Sequence, residues 1–139
     1  MAGEPASSSP NDGAPSLRVL IVEDNVFIAL DLEAQIMDMG HAVVGLAATA
    51  KAAIETSRRT RPDVAIVDLQ LADGSRGQDV ALVLREEMQI PSIIVSGSLH
   101  QVTEADMAAI RPLAMLSKPL FPEELRQVFA GACASRSAV

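Results

Sequence analysis

At 139 residues, with hydrophobic side chains making up 49% of them, the chain is sized for one domain with a full core. Its 18 acidic and 11 basic residues leave a net charge of −7, and it has no Trp or Tyr; that excludes a nucleic-acid surface, which needs clustered Lys and Arg and stacking rings. No apolar run reaches the length of a membrane span, no basic-plus-apolar leader opens the chain, and the single Cys133 excludes an internal disulfide or a cysteine zinc site, so a cytoplasmic protein without nucleic-acid or membrane partners is expected.

Residues 1–16 are rich in Ser, Pro, Gly and Ala with almost no large apolar side chains, the composition of a disordered tail. Leu17 to Val22 then reads as a buried strand that ends on Glu23 and Asp24. Asn25 is placed to cap a helix carrying Ile28, Leu32, Ile36 and Met39 at helical spacing, and Gly40 is a stop signal. Ala42 to Leu46 is a second short strand, and Thr49 to about Arg59 a second helix of mostly small residues. Val64 to Val67 is an uninterrupted apolar run, too short for a buried helix and too uniform for a half-exposed strand. It reads as the central strand of a parallel sheet covered on both faces, and it ends on Asp68. A loop follows, Ala72-Asp73-Gly74-Ser75-Arg76-Gly77.

Gly77 to about Met88 is helical, with Val80, Val83, Leu84 and Met88 facing inward. Pro91 to Val95 is the fourth strand, ending at Ser96-Gly97-Ser98. Thr103 to Ala109 is a weaker helix, with Thr103 and Asp106 spaced as a capping box. Leu113 to Leu116 is the fifth strand and runs into Ser117-Lys118-Pro119. Pro122, Glu123 and Glu124 start a last helix that buries Leu125, Val128 and Phe129. The order is five strands alternating with five helices, an α/β chain with a parallel sheet and helices on both faces. The domain is expected over residues 17–131, with residues 132–139 a short tail and no output domain following within the chain.

In a parallel sheet the carboxyl ends of the strands share one edge, where ligands collect. That edge would hold Glu23 and Asp24 from the first strand, Asp68 from the third, Ser96 from the fourth and Lys118 from the fifth. Taken singly, each has an ordinary explanation: an acidic helix start, a loop serine, a surface lysine. As successive strand ends they form one constellation. Three carboxylates in a small space repel one another and call for a cation; Lys118 is one, and a hard divalent ion such as magnesium, which takes oxygen ligands and phosphate, is the other. Such a site suits phosphoryl transfer, with a carboxylate as the nucleophile.

These residues resemble the receiver domain of response regulators, the phosphoacceptor module of two-component signalling. The resemblance is carried by Val19-Leu20-Ile21-Val22-Glu23-Asp24-Asn25, Pro62-Asp63-Val64-Ala65-Ile66-Val67-Asp68, Ile93-Ile94-Val95-Ser96-Gly97 and Leu116-Ser117-Lys118-Pro119. It implies a flavodoxin-like (βα)5 fold with strand order 2-1-3-4-5. It also implies that Asp68 accepts a phosphoryl group from a sensor histidine kinase or a histidine phosphotransfer protein. Glu23, Asp24, Asp68 and the backbone carbonyl of Gln70 would hold Mg2+, Lys118 and Ser96 would contact the phosphoryl oxygens, and Gly97 would keep the entrance small. Such a domain is a switch that catalyses only its own phosphorylation and dephosphorylation, and it signals by protein–protein contact to a downstream protein. Val26 and Phe27 are the apolar candidates for kinase docking, although Phe27 also fits a core position.

Three departures from the family pattern stand out. Met115 occupies the position of the usual aromatic switch residue, three before the lysine. Ala72 replaces a common proline, and the loop to Gly77 is one residue longer than usual. The form of Asp68 to Gly74 resembles receivers of alphaproteobacterial type. The alternative function is an unphosphorylated pseudo-receiver acting as a constitutive binding module, against which the intact Glu23, Asp24, Asp68 and Lys118 argue.

Overall fold

Five strands, β1 (Arg18–Val22), β2 (Ala42–Ala47), β3 (Val64–Asp68), β4 (Ser92–Ser96) and β5 (Ala114–Ser117), form one parallel sheet in the order β2-β1-β3-β4-β5. This is the order expected from the sequence. The computed structural model describes residues 16–137. The helices are α1 (Val26–Asp38), α2 (Ala50–Thr60), α3 (Gly77–Met88), α4 (Glu104–Ile110) and α5 (Pro122–Ser137). A single 3-10 turn, Leu99–Gln101, lies between β4 and α4 and was not foreseen.

Alternation along the strands sorts the core into two layers. Val19 and Ile21 of β1, Val64 and Ile66 of β3 and Ile93 and Val95 of β4 face one way, against Leu32 and Ile36 of α1 and Leu125 and Phe129 of α5. Leu20, Val22, Ala65, Val67 and Ile94 face the other way, against Ala53 of α2, Val80, Ala81 and Leu84 of α3 and Ile110 of α4. On α3, Val80 and Leu84 are buried as expected, Ala81 joins them, and Val83 and Met88 are half-buried.

Local chemistry explains the helix starts. The Asn25 side chain accepts from the Phe27 and Ile28 N–H groups, Thr49 accepts from Ala52, and Thr103 with Asp106 forms a complete capping box. Gly40, at φ +96°, turns the chain after α1. Three other helices end on left-handed residues that are not glycine, Arg61, Gln89 and Arg111. The last helix continues past residue 131, where the sequence reading ended the domain, and Ala132 is buried in the core. Of the tail expected at 1–16 only Ser16 lies within the described residues; its hydroxyl donates to the Gly40 carbonyl at 2.9 Å.

Candidate functional site

The register of the sheet places the site. Val22 pairs with Val67 across β1 and β3, and Asp68 pairs with Val95 across β3 and β4. Asp68 is therefore the last residue of a fully buried strand, beside the point where β1 gives way to Glu23. The Glu23 N–H still donates to the Ala47 carbonyl at 2.9 Å, so the main chain there remains pinned to β2. Glu23 and Asp68 are 5% and 6% exposed, whereas Asp24 is open to solvent.

One carboxylate oxygen from each of Glu23, Asp24 and Asp68 lies within 4.8 Å of the others. At that separation each pair of negative charges costs about 3 kcal/mol at an effective dielectric of 20. Lys118 offsets part of this. Its ammonium lies 2.9 Å from Glu23 Oε1 and 3.3 Å from Asp68 Oδ2. Burial pushes the Lys118 pKa down, but the hydrogen bond to Glu23 and the charges of Asp68 and Glu23 outweigh it, and the net shift is upward. Its ion pairs are thus fully formed at neutral pH and are lost only as the pH rises beyond the ordinary lysine value of 10.5. The second Glu23 oxygen accepts the Asn25 N–H at 3.1 Å, so the residue that caps α1 also orients this carboxylate. Three hard oxygen donors, two buried and one facing solvent, suit a small divalent cation that keeps several waters.

The remaining sequence candidates are placed less directly. Ser96 ends β4, is 3% exposed, and its hydroxyl accepts the Ser98 N–H at 3.0 Å; the structure ties this hydroxyl to its own loop rather than to Asp68. The Ser96 carbonyl accepts the Lys118 N–H at 3.0 Å and so helps place the lysine. Gln70 is exposed and forms an isolated antiparallel bridge with Arg76. At Gly97 a Cβ would meet nothing within 4 Å, so packing alone does not demand a glycine there. Met115 is half-buried and packs against the α3-side core layer.

Two features were not foreseen. A Cβ at Gly77 would overlap the Asp68 carbonyl oxygen, so the turn into α3 presses backbone against backbone beneath the central carboxylate. The sequence signal was slight: a glycine at the first position of a helix whose cap residue, Arg76, makes no capping bond. The second feature is a groove of about 550 Å³ lined by Phe27, Ile28, Asp31, Leu32, Lys118, Pro119 and Leu120. Phe27 is 80% exposed at its rim, which settles its role as a surface residue.

The sequence profile of the response regulator receiver domain matches residues 19–130. The chain belongs to this family. The receiver is 33% identical over 115 residues to the phyllosphere-induced regulator PhyR of Methylorubrum extorquens, a match covering 82% of this chain and 42% of that protein. It therefore spans less than half the length of this curated relative. Among solved structures, the PhyR receiver domain of Erythrobacter litoralis superposes with a TM-score of 0.77 at 30% identity, covering 84% of this chain and 89% of that one. PhyR of Brucella abortus superposes at 0.80 with 28% identity, over 90% of this chain and 51% of that one. These relatives agree with the alphaproteobacterial type suggested by the loop after Asp68. Membership marks the receiver as a signalling domain. The one enzyme among the relatives named here, a protein-glutamate methylesterase of Myxococcus xanthus, is matched over 31% of its length. Among the described residues no helix is long and apolar enough to cross a membrane.

Proposed function

We propose that the receiver accepts a phosphoryl group on Asp68 from a phosphohistidine, supplied by a sensor histidine kinase or a histidine phosphotransfer protein. The observation that carries this reading is the placement of a nearly buried Asp68 carboxylate between Glu23, Asp24 and the Lys118 ammonium. An Asp68 carboxylate oxygen attacks phosphorus, a P–O bond forms, the P–N bond breaks, and the electron pair leaves on the imidazole. Lys118 follows the developing charge onto the phosphoryl oxygens, exchanging its contact with Asp68 for one with the new group. Ser96, released from the Ser98 N–H, supplies a second donor. Glu23, Asp24, Asp68 and the Gln70 carbonyl would hold magnesium, which when bound neutralises charge shared between carboxylates and phosphoryl oxygens.

The donor docks along α1 and the groove beside Lys118. Val26, Phe27 and Leu30 are 56%, 80% and 49% exposed there, an apolar patch next to the chemistry. The phosphorylated receiver then acts by contact with a downstream protein in the cytoplasm, a reading supported by its likeness to the anti-anti-sigma factor PhyR of Bartonella quintana at 27% identity.

The test is incubation with acetyl phosphate, with and without magnesium, followed by intact mass. The parent should gain one acid-labile phosphoryl group only with magnesium, and Asp68→Asn none. A full adduct on Asp68→Asn places the acceptor elsewhere, and no adduct on the parent favours the pseudo-receiver.

A further inference from the structure

The loop after β3 is joined to Asp68 more tightly than an ordinary surface loop. Gly77 lies against the Asp68 carbonyl, its N–H donates to the Leu69 carbonyl at 2.8 Å, and Gln70 bridges to Arg76. The Ser75 hydroxyl also accepts the Ala50 N–H at 3.3 Å, tying the loop to the start of α2. Residues 69–77 thus form a small closed unit, and its last residue leads directly into Gln78.

Gln78 is 5% exposed, an uncommon place for an amide. Its Nε2 donates to the Gln101 carbonyl at 3.4 Å, a long bond, and its Oε1 is buried with no partner among the described residues. A methionine of similar size would fill this space without leaving an acceptor unsatisfied, so the amide needs a reason beyond packing. Two residues earlier, Arg76 approaches Asp106 at 4.0 Å. Asp106 is the capping-box residue of α4, where it accepts the Thr103 N–H at 3.0 Å. The two contacts therefore land on the end of the 3-10 turn and on the first turn of α4. They border a cleft of about 420 Å³ lined by Gln70, Ser75, Arg76, Gln78 and Gln101 among others, which leaves room for the loop to shift.

We infer that Gln78 is a positioning residue: it latches the loop after the phosphoacceptor strand to the segment entering α4, so that a change at Asp68 reaches α4 through Gln78 rather than through β5. This rests on the phosphoacceptor reading above. The latch is built to be released. Its single hydrogen bond is long, its ion pair stands at 4.0 Å and one acceptor is unsatisfied, so a small displacement at Asp68 is enough to trade one arrangement for another. The route through β5 is poorly equipped, because Met115 is half-buried and has no ring to rotate, and release of Ser96 from Ser98 moves the same segment that Gln78 holds.

The test compares the parent with Gln78→Met, which keeps the volume, Gln78→Glu, which keeps the shape without the donor, and Met115→Ala. Amide shifts are recorded with and without beryllofluoride and magnesium as the phosphoryl mimic. Glu23 and Leu69 report the site, and Thr103 to Ile110 report α4. Both Gln78 variants should retain the site shifts while the α4 shifts fall about two-fold or more; Met115→Ala should retain both sets. Full-sized α4 shifts in both Gln78 variants, or their loss in Met115→Ala, overturn the inference. Absent site shifts in the parent overturn the phosphoacceptor reading and the inference with it. A separate readout needs no mimic: amide exchange at Gln101 and Val102 should quicken in both Gln78 variants while β4 stays protected. Unchanged exchange overturns the latch on its own.

Discussion

The edge that holds the carboxylates and the side that carries α4 and β5 are built differently. Every residue of β3 and β4 is buried, whereas no residue of β5 is, and α4 buries only Ile110. The site needs oxygens held at fixed separations, and strands covered on both faces supply that. A responding segment needs the opposite, an element whose opening costs little. The strongest way to break this comparison is a pair of equally buried isoleucines, Ile66 on β3 at 1% exposure and Ile110 on α4 at 2%. Burial alone assigns both alanine variants a similar loss, about 2–5 kcal/mol. We expect Ile66→Ala to take the full loss as global destabilisation in urea. Ile110→Ala should show less than half of it, with rapid exchange confined to α4. Equal global losses would make the two regions one cooperative unit.

A smaller effect tests how the rigid half is joined to the loop. In Gly77→Ala the new methyl meets the Asp68 backbone, which must shift, at a cost of about 1–3 kcal/mol. Magnesium-induced shifts at Leu69 should change more than those at Glu23, because the displacement enters from β3. Unaltered shifts at Leu69 would show that the loop moves independently of Asp68. Smaller again is Asn25→Ala. It removes the side-chain cap of α1 while the backbone N–H that Glu23 accepts remains, so about 1 kcal/mol should be lost with the site shifts little altered.

The legible parts of the molecule were those written in local pattern. The apolar runs of β1, β3 and β4 give strands directly, and parallel strands put Glu23, Asp68 and Lys118 on one edge whatever the loops do. Lys118 needed only to follow β5. What escaped was set by distant contacts. Nothing near Gly77 announces that the chain folds back onto the Asp68 carbonyl. Phe27 sits beside Ile28 at the border of the apolar stripe, and only the groove left by Pro119 and Leu120 shows it to be a surface residue. Helix ends at Arg61, Gln89 and Arg111 adopt positive φ without the glycine that would signal it. Ala132 to Ser137, small apart from Arg136 and without an apolar rhythm, gave no sign that α5 runs on through them, yet Ala132 still packs against the sheet.

The smallest predicted effect lies at the far end of the rigid half. His41 stacks on Phe129 of α5 with ring centroids 5.2 Å apart, and its Nδ1 accepts the Leu17 N–H at 3.0 Å. An accepting Nδ1 carries no proton, so this arrangement requires a ring that is unprotonated there. Burial lowers the His41 pKa below its ordinary 6.5. The folded state therefore prefers the neutral ring, and the unfolded chain binds the proton first as the pH falls. Stability from this group is complete above about pH 6.5 and is lost as the pH falls toward the folded value, below which the loss levels off. His41→Asn keeps an acceptor in the ring's place and cannot titrate, so its urea midpoint should vary less than the parent's between about pH 7 and about pH 5. Because His41 belongs to the layer of β1 and α5, the acid loss should appear in global unfolding, with local opening of α4 unaltered. An acid loss of the same size in His41→Asn would assign it to other groups. A loss that appeared only as faster exchange in α4 would show that the two halves communicate across the sheet.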